Sequence, residues 1–344
     1  MDPARRHLMI CLGASLAGCA RRPQLALAPL KLDQAKLDHE FPAVAARARP
    51  AFFNAGVLIP ATGQNWVWDP TARMPLQNVF EAPLAAAALA QVDAGRLKLN
   101  ERIRLTADDL SPPYGPIDAV WPSPPQTHVM DLPAVDLIAL AVQRSDNTAA
   151  DTIMKRIGGP GAVTDWLRAK GVDGMIIDRY ERELQPAVVG LPAFQPEWKD
   201  WAAWMAARDA IPAEAREAAT NAYLGDPRDT ATVPAALEFL RQLSIGSLIS
   251  PASTRLLLRL MTESAEGPHR LRAGLPSGSS LAHKTGTATT DLGLTPAVND
   301  IGVVTLEDGR ILVLAAFLAG SSAAEAERDR LIADAARTLC AAVR

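Results

Sequence analysis

The sequence predicts an α+β fold in which strands from both ends of the chain share one antiparallel sheet and a helical middle packs against it. Three observations carry that expectation. Residues 51–59 and 65–68 are β-rich runs on either side of Pro60-Ala61-Thr62-Gly63, a hairpin signal. Near the other end, residues 301–306 and 311–318 flank Asp308-Gly309, a favoured hairpin turn pair, and residues 280–287 form a further strand. Between these ends, residues 79–261 are largely Ala-rich and helix-patterned. Either strand set alone is too small to cover its apolar faces, so the two must join in one sheet. A closing helix over 323–343 places Leu331, Ile332, Ala335, Leu339 and Val343 on one face.

Composition bounds the partners. With 344 residues, 49% of them apolar, and a formal net charge of -3, the chain can bury a large core and has no single-sign excess suited to nucleic acid. No fixed-period repeat is present. The first residues read as a targeting segment: Arg5 and Arg6, then an apolar run over 8–17, then Leu16-Ala17-Gly18-Cys19. This resembles a bacterial lipobox with Cys19 as the lipidated residue, the alternative being ordinary cleavage near Ala20. Arg5-Arg6-His7-Leu8-Met9 also resembles a twin-arginine export signal. The expected organisation is a signal peptide over 1–19, a tether over 20–40 containing Pro23 and Pro29, and one folded domain over 41–344. Cys11 falls in the signal and Cys19 is acylated in this reading, which leaves Cys340 without a disulfide partner. The protein is then expected in the periplasm, held to a membrane by a lipid anchor, and monomeric.

Three motifs follow in order: Ser145-Asp146-Asn147, Arg179-Tyr180-Glu181-Arg182-Glu183-Leu184 and Lys284-Thr285-Gly286. Together with Gln91-Val92-Asp93-Ala94-Gly95, Arg228-Asp229-Thr230 and Asn299-Asp300-Ile301-Gly302, they resemble class A β-lactamases from about Phe52 to Leu318. The resemblance implies a β-lactamase/transpeptidase-like α/β/α sandwich. Its five-stranded antiparallel sheet is flanked by terminal helices and packs on an all-helical lobe, with the site in the cleft between. Where that family carries Ser-x-x-Lys, this chain reads Asn78-Val79-Phe80-Glu81. A carboxamide is a poor nucleophile and a carboxylate cannot replace the missing cation, so the acyl-serine route through this position is closed. Asn followed three residues later by Glu ahead of an apolar helix is, by itself, a capping pattern.

The remaining roles are those the resemblance implies. Glu181 matches the general base, and Glu81 is expected to face it where the Lys lay, so that the two carboxyls share a proton. Gln185 stands for the Asn that helps hold the hydrolytic water. Ser145 and Asn147 match the proton shuttle and the amide that meets the ligand's acyl group. Lys284, Thr285, Gly286 and Thr287 form the strand that meets its carboxylate, and Arg270, 14 positions before Lys284, matches a carboxylate-binding Arg of some members. The backbone N–H groups of Asn78 and Thr287 match the oxyanion donors. Arg179 and Asp229 match an ion pair that closes the loop bearing Glu181. Here Glu181 and Asp229 are 48 positions apart. That implies a helical insertion at about 186–222, too long for a structureless loop. A single helix is expected over 198–219, with Trp198, Trp201 and Trp204 either anchoring the insert to the helical lobe or forming part of a lid.

His7, His39, His128, His269 and His283 show no ligand spacing, so no cofactor and no dedicated metal site are expected. A Glu81/Glu181 clamp would be a sparse hard-ion site. Three functional readings stand. The first is a catalytically impaired protein that binds β-lactams or peptidoglycan-like ligands. The second is a weak hydrolase using Glu181-activated water or a Ser145-Lys284 pair. The third is an envelope interaction protein docking through its insert.

Overall fold

A computed structural model describes residues 27–344 apart from 112–114, 123–124 and 126–127, so the expected signal peptide and Cys19 lie outside the described residues. The strands are β1 (Phe52–Leu58), β2 (Asn65–Val67), β3 (Arg73–Pro75), β4 (Arg102–Thr106), β5 (Val129–Pro133), β6 (Thr230–Thr232), β7 (Ser280–Thr287), β8 (Thr295–Thr305) and β9 (Ile311–Ser321). β1, β2 and β7 to β9 form one antiparallel sheet in the order β2-β1-β9-β8-β7, so the C-terminal hairpin is inserted between the N-terminal strands and β7. The β8–β9 turn closes on Gly309 at φ +85°, a conformation that suits a residue without Cβ.

β9 shows how the sheet joins two cores. Leu312, Leu314, Ala316 and Leu318 face the terminal helices Gln34–Ala46 and Glu325–Ala341. The alternate residues Val313, Ala315, Phe317 and Ala319 face the helical lobe. A strand covered on both faces reads as a continuous apolar run, which is what 311–319 looks like in the sequence.

Two expectations need correction. The folded domain begins before residue 41: Leu30, Leu37 and Phe41 are buried, Lys31 and Arg344 exchange backbone hydrogen bonds of 2.9 and 3.0 Å, and the first helix starts at Gln34. The i, i+4 pair Leu37 and Phe41 is the apolar stripe that docks this helix, and Pro42 within it masks the helical pattern. The insert is also not one helix. It forms a 3₁₀ turn Pro196–Lys199 and two helices, Trp201–Asp209 and Ala213–Leu224, because Pro212 cannot continue the first. Trp204 is buried against Phe194 and Trp198, whereas Trp201 is 42% exposed.

Candidate active site

Position 78 sits where the helical lobe meets the sheet. Residues Gln77–Phe80 form a 3₁₀ turn that runs directly into the helix Glu81–Asp93. The turn is entered through Gln77 at φ +44°, a left-handed conformation that non-glycine residues adopt at a cost. The sheet holds it in place. Asn299 of β8 donates from Nδ2 to the carbonyls of Pro75 (2.7 Å) and Leu76 (3.0 Å). At Gly286 of β7 a Cβ would stand 2.7 Å from the Leu76 carbonyl and 3.1 Å from the Asn78 nitrogen. Only a glycine lets that strand approach the backbone so closely. The capping pattern read at Asn78 is not realised. Neither the 3₁₀ turn nor the helix has a side-chain cap, and the Asn78 amide instead reaches Glu81 Oε1 at 3.1 Å and Asn147 Oδ1 at 2.7 Å.

Glu81 has turned toward β7. Its Oε2 lies 2.9 Å from Lys284 Nζ, and both side chains are fully buried. The pair is ionic rather than a well-aligned hydrogen bond, since Glu81 Oε2 has no partner by hydrogen-bond geometry. The ammonium directs hydrogen bonds to Ser145 Oγ (2.5 Å) and to its neighbour's carbonyl at Thr285 (3.0 Å). Burial raises the Glu81 carboxyl to about 7, opposed by Lys284 and the Asn78 amide. The expected Glu81/Glu181 proton-sharing pair is therefore corrected: Lys284 is the group that Glu81 binds, although the Glu81 charge still raises the Glu181 carboxyl.

Ser145 links the helices Ala134–Arg144 and Asn147–Arg156 in a left-handed conformation, φ +46°, and is half-buried. Asp146 fixes this corner by accepting from the Ala149 and Ile117 backbone N–H groups, both at 2.8 Å.

Glu181 opens the helix Glu181–Val188. Asp151, one turn after Asn147 on the same helix face, accepts the backbone N–H groups of Glu181 (2.7 Å) and Arg182 (3.0 Å) and the Ser111 hydroxyl (2.6 Å). Gln185 Nε2 bridges Glu181 Oε2 at 2.7 Å and Gln77 Oε1 at 2.8 Å, and Gln77 in turn donates to the Tyr223 hydroxyl at 2.7 Å. Glu181 Oε1 has no partner although it is buried. Burial first, then the charges of Asp151 and Glu81, push the Glu181 carboxyl well above the usual range. The loop behind it is closed by Arg179 Nε on Asp229 Oδ2 at 2.6 Å, and Asp229 also accepts the N–H groups of Asp178 and Arg179.

Thr285 and Gly286 are buried along β7, and Thr287 is exposed at its end. Arg270 does not stand free toward the cleft. Its Nε is bonded to Asp329 of the terminal helix at 2.8 Å and its Nη1 to the Asn299 carbonyl at 3.1 Å, so the guanidinium is spent on fastening the sheet to that helix. The structure thus brings Asn78, Glu81, Ser145, Asn147 and Lys284 into one bonded cluster, with Glu181 and Gln185 joined through Gln77, and leaves Arg270 outside it. Gln77, Asp146, Asp151, Tyr223 and Asn299 were not anticipated as site residues. Asp146 and Asn299 lie inside motifs already singled out, Ser145-Asp146-Asn147 and Asn299-Asp300-Ile301-Gly302, and Asp151 stands in an i+4 relation to Asn147, whereas Gln77 and Tyr223 have no such signal.

This cluster contains hydrogen-bond donors and a cation but no nucleophile at the head of the buried helix. Its relatives carry the same architecture. A model of the β-lactamase enzyme family matches residues 37–343. The extended-spectrum β-lactamase PER-1 of Pseudomonas aeruginosa is 28% identical over 271 residues, covering 78% of this chain and 75% of that protein. Among solved structures, a β-lactamase from Chitinophaga pinensis DSM 2588 superposes with a TM-score of 0.70 at 30% identity, covering 88% of this chain and 97% of its own. An ancestral (GNCA) class A β-lactamase gives 0.69 at 30% identity, covering 88% of this chain and 98% of the other. The chain belongs to the class A β-lactamase family.

Proposed function

We propose that this protein is a catalytically impaired class A β-lactamase homologue that binds β-lactams, or the peptidoglycan fragments they resemble, without turning them over. The observation that supports this most is the pair Asn78 and Glu81. At the head of the helix Glu81–Asp93 a carboxamide bonded to Glu81 and Asn147 stands where acylation needs a hydroxyl, and a carboxylate stands where it needs a cation. The binding side is chemically equipped. Ser145 is half-buried and Thr287 exposed, each with a hydroxyl, while Asn147, Lys284 and Thr285 stand buried behind them, and the backbone N–H groups of Asn78 and Thr287 match oxyanion donors that do not depend on a side chain. Arg270 has no part in this reading.

The Ser145-Lys284 contact at 2.5 Å is the observation that would favour an enzyme using Ser145 as nucleophile. Lys284 donates in that contact while lying against the Glu81 carboxylate, and an ammonium paired in this way cannot take up the serine proton. A reversible binding site is the stronger reading. Export as a monomeric lipoprotein anchored through Cys19 belongs to the same proposal, since a periplasmic location would expose the cleft to such ligands. The test uses the soluble domain from residue 27 onward with a chromogenic cephalosporin and with radiolabelled benzylpenicillin. The expected result is reversible, non-covalent retention, with turnover lower by about 10⁶ than in an intact serine hydrolase. Turnover near roughly 10 per second would rule the proposal out.

A further inference from the structure

The buried ion pair behind the half-exposed Ser145 bears on what charge a ligand can carry, given the binding reading above. Glu81 and Lys284 are 2.9 Å apart with neither side chain in contact with solvent. The other directions of the ammonium are taken by Ser145 Oγ and the Thr285 carbonyl. A carboxylate brought to Lys284 therefore arrives at a cation already neutralised by the protein's own carboxylate.

The groups facing Glu81 from the elements packed on it make a second anion worse, not better. From its own turn comes the Asn78 amide, which is neutral. From β7 comes Lys284, the cation paired with it. From the Ser145–Asn147 corner comes Asp146, whose charge acts on Glu81 and whose two oxygens are bonded to backbone N–H groups. From the helix Glu181–Val188 comes Glu181, which burial favours in its neutral form. Two buried carboxylates beside one ammonium cannot both stay ionised when one of them can take a proton.

We infer that Glu81 sets the charge selectivity of the cleft: it holds the seat at Lys284 that a ligand carboxylate would take, so an anionic ligand binds together with one proton that goes to Glu81. The balance is simple. Ligand carboxylate and proton enter, the Glu81–Lys284 ion pair is replaced by a ligand–Lys284 ion pair, and the neutral Glu81 carboxyl remains. Its carbonyl oxygen still accepts from Asn78, and its new O–H can donate to the ligand carboxylate. A neutral ligand of the same shape needs no proton.

Benzylpenicillin and its methyl ester separate these cases. Burial raises Glu81 to about 7, so below that pH the proton is already present and above it the proton must be taken from solvent. The affinity for benzylpenicillin should be flat at acidic pH and fall about tenfold per pH unit above the titration, whereas the ester should be flat throughout. Calorimetry at pH 8 in phosphate and in Tris buffer should read nearly one proton taken up with benzylpenicillin and none with the ester. Glu81→Gln should tighten benzylpenicillin at pH 8 and remove both the slope and the proton uptake. Benzylpenicillin binding by the unaltered protein that is pH-independent and proton-neutral overturns the inference, whether or not the variant folds. A slope that persists in Glu81→Gln also overturns it, because the proton then belongs to another group. If neither compound binds between pH 5 and 9, the binding reading itself fails and this inference goes with it.

Discussion

Asn78 and Glu81 depend on each other. The Asn78 amide donates to Glu81, and Glu81 in turn balances Lys284, so each supplies the other with a partner in a place where an unpaired polar group is costly. Asn78→Ser alone would put a hydroxyl beside Glu81 while Lys284 stays neutralised. Glu81→Lys alone would bring two ammonium groups together with no nucleophile at position 78. The double substitution Asn78→Ser with Glu81→Lys supplies the nucleophile and a cation, and the new Lys charge would pull the proton off Glu181, whose carboxyl burial holds well above its usual range. We expect mass spectrometry after penicillin exposure to find an adduct on the introduced serine in the double variant only. A correctly folded double variant that stays unlabelled would mean the cleft is blocked. At this scale the sequence identified which residues meet, since Ser145, Asn147, Glu181 and Lys284 all converge. It did not identify which way Glu81 turns. That depends on the separation between β7 and the helix Glu81–Asp93, a distance set by Gly286 and Asn299 rather than by any local pattern.

Among the elements, the insert is held at two places, its second helix and the corner between its two helices. Its second helix packs on the helix that carries Glu181, with Thr220 Oγ1 on the Val188 carbonyl at 3.1 Å and Tyr223 beside Leu184 and Val188. Tyr223 also reaches Gln77, next to position 78. Its turn is fastened to the β7–β8 loop, where Asp291 Oδ1 meets Arg216 Nη1 at 3.0 Å and Arg208 Nη1 at 3.7 Å. The side chains of Arg216 and Asp291 are only 11% and 6% exposed, so removing one partner leaves a buried charge. Arg216→Ala should cost about 3 kcal/mol, the lower end for a broken buried pair, because Arg208 stays nearby. Asp291→Asn added to it should cost much less than its own single effect, which urea unfolding of the four variants would measure. Fully additive losses would show that the two groups do not work as a pair. Hydrogen exchange over residues 196–224 should be slow for the same reason. Pro212 and the apolar spacing were legible in the sequence, but the Arg216–Asp291 contact joins positions 75 residues apart and no periodicity reports it.

Across the whole molecule, burial has been imposed on several carboxyls at once, and pH should reveal it. Burial is the first cause that raises Glu81 to about 7, Asp118 to about 8 and Asp151 to about 6, and it also raises Glu181 well above its usual range. A carboxyl whose folded value lies above its unfolded one binds its proton more tightly in the native state. Its contribution is fully present below the unfolded value and is lost as pH rises through the folded one. The fold should therefore weaken between about pH 5 and pH 8, each such group contributing about 1.4 kcal/mol per pH unit within its own window. Carboxyls held below their usual range, such as Asp226 by Arg228 and Glu238 by Arg241, act only in more acidic solution and leave that interval unaffected. Glu181→Gln replaces the protonated form with a neutral side chain of the same shape, and its carbonyl can still accept from Gln185. It should match the unaltered protein at pH 5, exceed it at pH 8 and flatten the slope between them in urea unfolding. A protein that grows more stable from pH 5 to pH 8 would show that these carboxyls ionise without penalty. Glu181 would then be a charged base in the resting site, and the proposed impairment would rest on Asn78 and Glu81 alone.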